Sequence, residues 1–138
     1  MRRGLIGEHL GHSYSQRIHE TLGGYPYELI EVAPQDLDAW MKNKDFAALN
    51  VTIPYKKAVI PYLEELDERA RRIGAVNTIV NDHGRLIGKN TDYYGCRFML
   101  EQTGIEIQGR KVILLGNGGA AQAVQAVLED LGAAAIVK

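Results

Sequence analysis

The sequence predicts an α/β protein with a mainly parallel sheet flanked by helices, and three observations carry that prediction. Strand-like and helix-like segments alternate over most of the chain. Two of the helices open on proline, Pro34 and Pro54, which suits a first helical position. The stretch from 112 to 137 reads strand, helix, strand, with a glycine-rich turn after its first strand.

Taken in order, the apolar Leu5-Ile6 lead into GEHLGHSYSQRIH, Gly7 to His19, a turn that begins a helix. Tyr27 to Val32 is strand-like, and Pro34 to Lys42 reads as a helix with Leu37, Trp40 and Met41 on one side. Phe46 to Ile53 is the next strand. Pro54 opens a short helix interrupted at Pro61, and Glu64 to Arg72 gives another with an exposed, charged face. Val76 to Val80 and Leu86 to Gly88 flank Asp82-His83-Gly84, a hairpin turn. A helix from Tyr93 to Gln102 precedes the polar junction 103–110. Val112 to Leu115, Gly118 to Leu131 and Ala134 to Val137 then form the β-α-β unit. Glycine, alanine and valine dominate from Gly116 onward, so the expected boundary lies near Gly104, dividing the chain into 1–104 and 105–138.

With 46% hydrophobic residues among 138, the chain can bury an ordinary core. Its net charge of -1 offers no basic surface for nucleic acid or an anionic membrane, so the expected partner is a small molecule or another protein. Cys96 is the one cysteine, which excludes internal disulfides and a thiolate zinc cage and suits a reducing compartment. No apolar run reaches membrane-spanning length, and Met1 to Gly7 is too short for a signal-peptide core, so the expected location is cytoplasmic.

In VILLGNGGAAQAV, Gly116, Gly118 and Ala121 fill the G-x-G-x-x-A form of a dinucleotide fingerprint between a strand and a helix. Gly116 permits the tight turn, Gly118 lets backbone approach a pyrophosphate, and Ala121 allows close helix packing. The helix start adds free N–H groups, so Gly116, Asn117, Gly118, Gly119, Ala120 and Ala121 are the candidate cofactor residues. This is the expected start of a Rossmann-like dinucleotide-binding domain, and no Lys-Ser or Lys-Thr follows to suggest a triphosphate loop.

In ALNVTIPYKK, Leu49, Val51 and Ile53 share one strand face while Asn50 and Thr52 share the other, at the strand end where open α/β sheets bind ligands. Lys56 falls in the first turn of the next helix, where a cation opposes the macrodipole and an acid would be more stabilising. Either a function holds Lys56 there, or Lys56 and Lys57 swing into solvent. In GKNTDYYG, Asn90 and Asp92 point to one side; Asp92 is either a site carboxylate or the N-cap of the next helix. Asn77 in GAVNTIV is either a ligand or a polar residue facing water. In the opening turn, His9, His12 and His19 lack metal-ligand spacing with any acid, so no metal is expected. Ser13 with Gln16 fits a capping box, Ser15 is a candidate N-cap, and the two hydroxyls beside free N–H groups suit a carboxylate.

Together these blocks, in this order and spacing from Gly7 to Val124, resemble the shikimate dehydrogenases. The resemblance implies reversible, NADPH-dependent reduction of 3-dehydroshikimate to shikimate, a step toward chorismate and the aromatic amino acids. It implies that Ser13 and Ser15 hold the substrate carboxylate, that Asn50, Thr52, Asn77 and Asp92 bind ring hydroxyls, and that Lys56 is catalytic, paired with Asp92. The serine at the second clamp position is more like shikimate-type than quinate-type members. Glu8 and Gln16 stand where proline is usual, and Glu20 where asparagine is usual. Alternatives of other kinds are a quinate-type dehydrogenase and a non-catalytic ligand-binding module. The seven candidate residues are expected to converge on one cleft. Because the chain stops at Lys138 inside the dinucleotide unit, the expectation is an amino-terminal fragment, silent alone, with a homodimer as one option for its open sheet edge.

Overall fold

The computed structural model describes residues Met1–Lys138. Strand β1 (Arg2–Gly7) leads to helix α1 (Ser15–Gly23), β2 (Glu28–Glu31), a 3-10 turn (Pro34–Asp36), α2 (Leu37–Asn43) and β3 (Phe46–Val51). Next come α3 (Tyr55–Ala58), a second 3-10 turn (Ile60–Tyr62), β4 (Glu65–Leu66), α4 (Glu68–Ile73), β5 (Thr78–Asp82), β6 (Arg85–Lys89) and α5 (Asp92–Gln102). The strand β7 (Lys111–Ile113), helix α6 (Gly119–Asp130) and strand β8 (Ala135–Val137) follow. No helix is long and apolar enough to cross a membrane.

The first six strands form one sheet in the order β2-β1-β3-β5-β6-β4, and β7 pairs separately, in parallel, with β8. Parallel pairing joins β1 to β2 and β3, and β4 to β6, whereas β5 is antiparallel to both of its neighbours. The sheet is therefore mainly parallel, as the alternation predicts, with β5 alone reversed. The reversal comes from the hairpin: Asp82 pairs with Arg85 across His83-Gly84, whose φ values of 50° and 91° are both positive, as a type I′ turn requires. It brings the start of β5 to the edge where β1, β3 and β6 end.

The main core lies on one face of the sheet, and a smaller cluster lies on the other. Ile6, Leu49, Val51, Ile79 and Leu86 pack under α2 and α3, with Met41, Phe46, Tyr55 and Val59 in the same cluster; Trp40 stacks on Phe46 at 5.4 Å. Leu5 points the other way and joins Leu10 and Tyr27.

Three element boundaries differ from the sequence reading. The central strand β1 is not foreseen, because its arginines and glycines dilute the signal of Leu5-Ile6. The expected helix Glu64–Arg72 divides: Glu65 and Leu66 pair with Ile87 and Gly88 as an edge strand. Helix α4 starts after Asp67, whose carboxylate accepts from Ala70 N at 2.7 Å, so a strong N-cap sets the boundary. Finally, β3 stops at Val51, and Ile53, expected to share the face of Leu49 and Val51, leaves the strand and is 77% exposed.

Helix α6 lays Ala123, Ala126 and Val127 against Ile73, Ala75 and Tyr93, the small side chains allowing close approach to α4 and α5. A polar tie closes its far end. Arg72 donates to both carboxylate oxygens of Asp130, at 2.8 and 2.9 Å, and to Glu129 at 3.2 Å, while the Tyr93 hydroxyl donates to Asp130 at 2.6 Å. The hydrogen bond from Tyr93 and the charge of Arg72 hold the Asp130 pKa below the ordinary carboxylate value. A depressed carboxylate stabilises the fold above its unfolded pKa and loses that contribution as pH falls through the folded one. Arg72→Ala is expected to lower stability by about 1 kcal/mol at neutral pH, as for a partly exposed ion pair, and to speed amide exchange in α6. In Asp130→Asn, the acid-side fall in stability is expected to shrink, measured by urea unfolding between neutral and acid pH; equal acid sensitivity in both proteins would count against the tie.

Candidate active site

The loop after β1 is a tight turn, with Ser13 N donating to Leu10 O at 2.9 Å. It is tethered to β2 because the Glu31 carboxylate accepts from Leu10 N at 2.7 Å. The capping box expected from Ser13 and Gln16 does not form, since Gln16 turns to Glu20 at 3.2 Å and Tyr14, not Ser15, occupies the N-cap position. Ser13 Oγ instead accepts from Ser15 N at 3.2 Å, and Ser15 is the first residue of α1. No side chain caps that helix, so both hydroxyls keep their protons for a ligand.

At the end of β3, Asn50 and Thr52 do face away from the buried Leu49 and Val51. The buried Tyr27 hydroxyl donates to Asn50 Oδ1 at 2.7 Å, leaving the amide group to point toward Thr78 Oγ1 at 3.3 Å. Burial holds the Tyr27 pKa above its ordinary value, so it stays a donor. His19 stacks on Tyr27 with ring centroids 4.1 Å apart, and its Nδ1 lies 2.7 Å from the Tyr25 hydroxyl. His19 is thus held between two tyrosines. Tyr27 escapes sequence reasoning because it looks like any strand aromatic.

The charged centre spans α3 and α5. Lys56 Nζ donates to Asp92 Oδ2 at 2.5 Å, with the lysine side chain only 15% exposed, so it does not swing into solvent. Asn77 Nδ2 donates to the other oxygen, Asp92 Oδ1, at 2.9 Å. Asn77 Oδ1 accepts from Thr91 N at 2.8 Å, and Val51 N donates to Asn77 O at 2.8 Å, so the reversed start of β5 is clamped between its neighbours. Asn77 is buried and faces the site, not water. Thr91 takes the N-cap position, and Asp92 is the first residue of α5. Asn90 turns inward, donating to Ala75 O at 2.9 Å, and does not share the side of Asp92. Ser13, Ser15, Asn50, Thr52, Lys56, Asn77 and Asp92 all line one cleft of about 760 Å³, with His9, His12, His19 and Glu31 around it.

A second cavity of about 660 Å³ adjoins the first, and Thr52 and Lys56 line both. Gly116, Asn117, Gly118, Gly119, Ala120 and Ala121 line it too, opposite Ile53, Pro54 and Lys57. Gly116 has φ 132°, which only glycine adopts readily, and a Cβ at Gly118 would meet nothing within 4 Å, so the turn presents open backbone. The first backbone bond of α6 runs from Gln122 N to Gly118 O at 3.2 Å, leaving the amides of residues 119 to 121 without intrahelical partners. Those amides and that open backbone fit a pyrophosphate group.

Comparison with known proteins gives this geometry a lineage. The family model of the shikimate dehydrogenase substrate binding domain matches residues 5–79. The chain is 47% identical to the shikimate dehydrogenase (NADP(+)) of Halothermothrix orenii, over 96% of this chain and 49% of that protein. It is 44% identical to that of Carboxydothermus hydrogenoformans, over 97% and 51% respectively. The chain thus spans about half the length of the relatives it matches. Among solved structures, shikimate dehydrogenase 1 from Peptoclostridium difficile superposes with a TM-score of 0.91 at 36% identity, covering 99% of this chain and 55% of that one. The Thermus thermophilus enzyme in complex with NADP(H) and shikimate gives 0.86 at 34% identity, with the same coverage. By its family match and by the fold that carries it, the chain belongs to the shikimate dehydrogenase family, through the substrate-binding domain.

Proposed function

We propose that this chain forms the substrate-holding part, and the first turn of the cofactor site, of an NADPH-dependent shikimate dehydrogenase that reversibly reduces 3-dehydroshikimate to shikimate. The observation that carries the reading is the single cleft in which two free serine hydroxyls face a Lys56–Asp92 pair, opening through Lys56 and Thr52 onto a glycine turn. In this reading residues 1–104 are the substrate domain, and 105–138 begin a Rossmann-like cofactor domain that acts in the cytoplasm. The six residues Gly116 to Ala121 would hold the cofactor pyrophosphate.

Ser13 and Ser15 donate to the substrate carboxylate, which fixes one end of the ring. Asn50, Thr52, Asn77 and Asp92 then meet ring hydroxyls, and the Asn50 amide is presented in one orientation because Tyr27 occupies its oxygen. NADPH, when bound, supplies a hydride to the carbonyl carbon. The carbonyl oxygen, becoming an alkoxide, takes a proton from Lys56 Nζ, and water later returns one to the amine. In the oxidative direction neutral Lys56 removes the hydroxyl proton. Asp92 holds the ammonium at 2.5 Å, while Asn77 keeps the carboxylate from rotating.

Ser13→Ala is expected to raise the shikimate dissociation constant roughly 10- to 100-fold in calorimetry of this chain, since a hydrogen bond to a charged group is worth about 1.5 to 3 kcal/mol. Quinate, titrated alongside, is expected to bind more weakly than shikimate. In protein that carries this sequence and oxidises shikimate with NADP, Lys56→Ala is expected to cut turnover by roughly 10^2-fold or more, with a smaller effect on shikimate affinity. Undiminished turnover in Lys56→Ala, or unchanged shikimate affinity in Ser13→Ala, would overturn the assigned roles.

A further inference from the structure

The dinucleotide fingerprint accounts for most of the small residues in the turn before α6, but not for Gly119. Gly116 needs its left-handed φ, Gly118 faces open space, and Ala121 lets Gly116 approach to 3.9 Å from Cβ to ideal Cβ. Gly119 has no left-handed φ, and it opens α6, where alanine is the better helix former. Its missing side chain has a different neighbour. A Cβ built there would lie 3.0 Å from Lys56 Cδ and 3.1 Å from Lys56 Cβ, with Ala75 Cβ at 3.5 Å on another side.

Lys56 has little room to yield. Its carbonyl accepts from Val76 N at 2.7 Å, which anchors the backbone, and its Nζ is held on Asp92 at 2.5 Å, which anchors the tip. A Cβ at Gly119 must therefore displace the stem by a few tenths of an ångström, and because the backbone end is fixed in the chain the displacement passes along the flexible four-carbon stem to the ammonium.

We propose that Gly119 is a positioning residue for Lys56: the vacant side-chain place in the cofactor turn is the seat of the lysine stem, so the turn helps set where the ammonium meets Asp92. The catalytic meaning of this seat rests on the reading of Lys56 as the proton donor; the seat itself stands on packing.

The test is competitive acetylation of the whole chain with trace acetic anhydride at one fixed pH, read by mass spectrometry as the ratio of labelling at Lys56 to labelling at the exposed Lys57. An ammonium moved off the carboxylate is less shielded from the reagent. In Gly119→Ala the Lys56-to-Lys57 labelling ratio is expected to rise about threefold. Gly118→Ala, with nothing near its new Cβ, is expected to leave the ratio as in the parent chain. An unchanged ratio in Gly119→Ala, or an equal rise in Gly118→Ala, overturns the proposal. Should Gly119→Ala fail to fold by circular dichroism, Lys56→Gly is added: recovery of a cooperative thermal melt supports the seat, and no recovery overturns it. Full turnover in Lys56→Ala would refute the proton-donor role and leave the labelling result standing, so the two failures are distinguishable.

Discussion

Lys56 and Asp92 lie 36 residues apart in sequence and 2.5 Å apart in the fold, and the arrangement of the cleft depends on that contact. Removing two charges from water is costly, and their attraction repays it only when the remaining polar atoms are also satisfied. The structure meets that condition from one residue. Asn77 donates to the second oxygen of Asp92, while its own oxygen accepts from Thr91 N, so the carboxylate and the start of α5 are held as one unit. Asn77 can do so because β5 runs against its neighbours. Had β5 been parallel like the others, its first residues would lie at the opposite edge of the sheet. The two-residue turn at His83-Gly84 is thus a condition for the ion pair.

The same contact resolves a conflict visible in the sequence. A lysine in the first turn of a helix is unfavourable in proportion to the helix dipole, yet α3 is only four residues long. Its dipole is correspondingly weak, and a carboxylate supplies the compensating charge. The local rule at Lys56 is broken at small cost, in the cleft where Asp92 meets it.

Much of the site is legible in the sequence because its residues obey local periodicity. Asn50 and Thr52 follow from strand alternation and the glycine turn from its spacing, while the poor fit of Lys56 to a helix start marks it out without deciding between the cleft and solvent. What stays hidden is non-local. Nothing near Asn77 says that it will bridge Thr91 and Asp92, so its two readings separate only when the strand order is known. Tyr27 and His19 are fixed by a stack and hydrogen bonds across three elements, and the second serine fails as an N-cap because the turn from Leu10 already sets the helix start. The divided helix at Glu64–Arg72 follows the same logic: charge periodicity favours helix, but pairing of Glu65 and Leu66 with the exposed edge of β6 competes, and Asp67 decides where helix can begin.

The glycine turn before α6 lies against the lysine, and the helix that follows it is held at both ends. Helix α6 has 12 residues, about 18 Å at 1.5 Å per residue, and its two ends are fixed by different forces. The far end is tied by Arg72, Tyr93 and Asp130, a charged contact that is partly exposed and therefore weakened by salt. The near end brings Gly119 against the Lys56 stem, a packing contact that salt does not weaken. Between them, Ala123, Ala126 and Val127 are buried against Ile73, Ala75 and Tyr93, so the middle of the helix is held by close packing as well. Weakening the charged tie with salt or by substitution therefore leaves the near end's packing in place, because the two ends are held by different residues and by different forces.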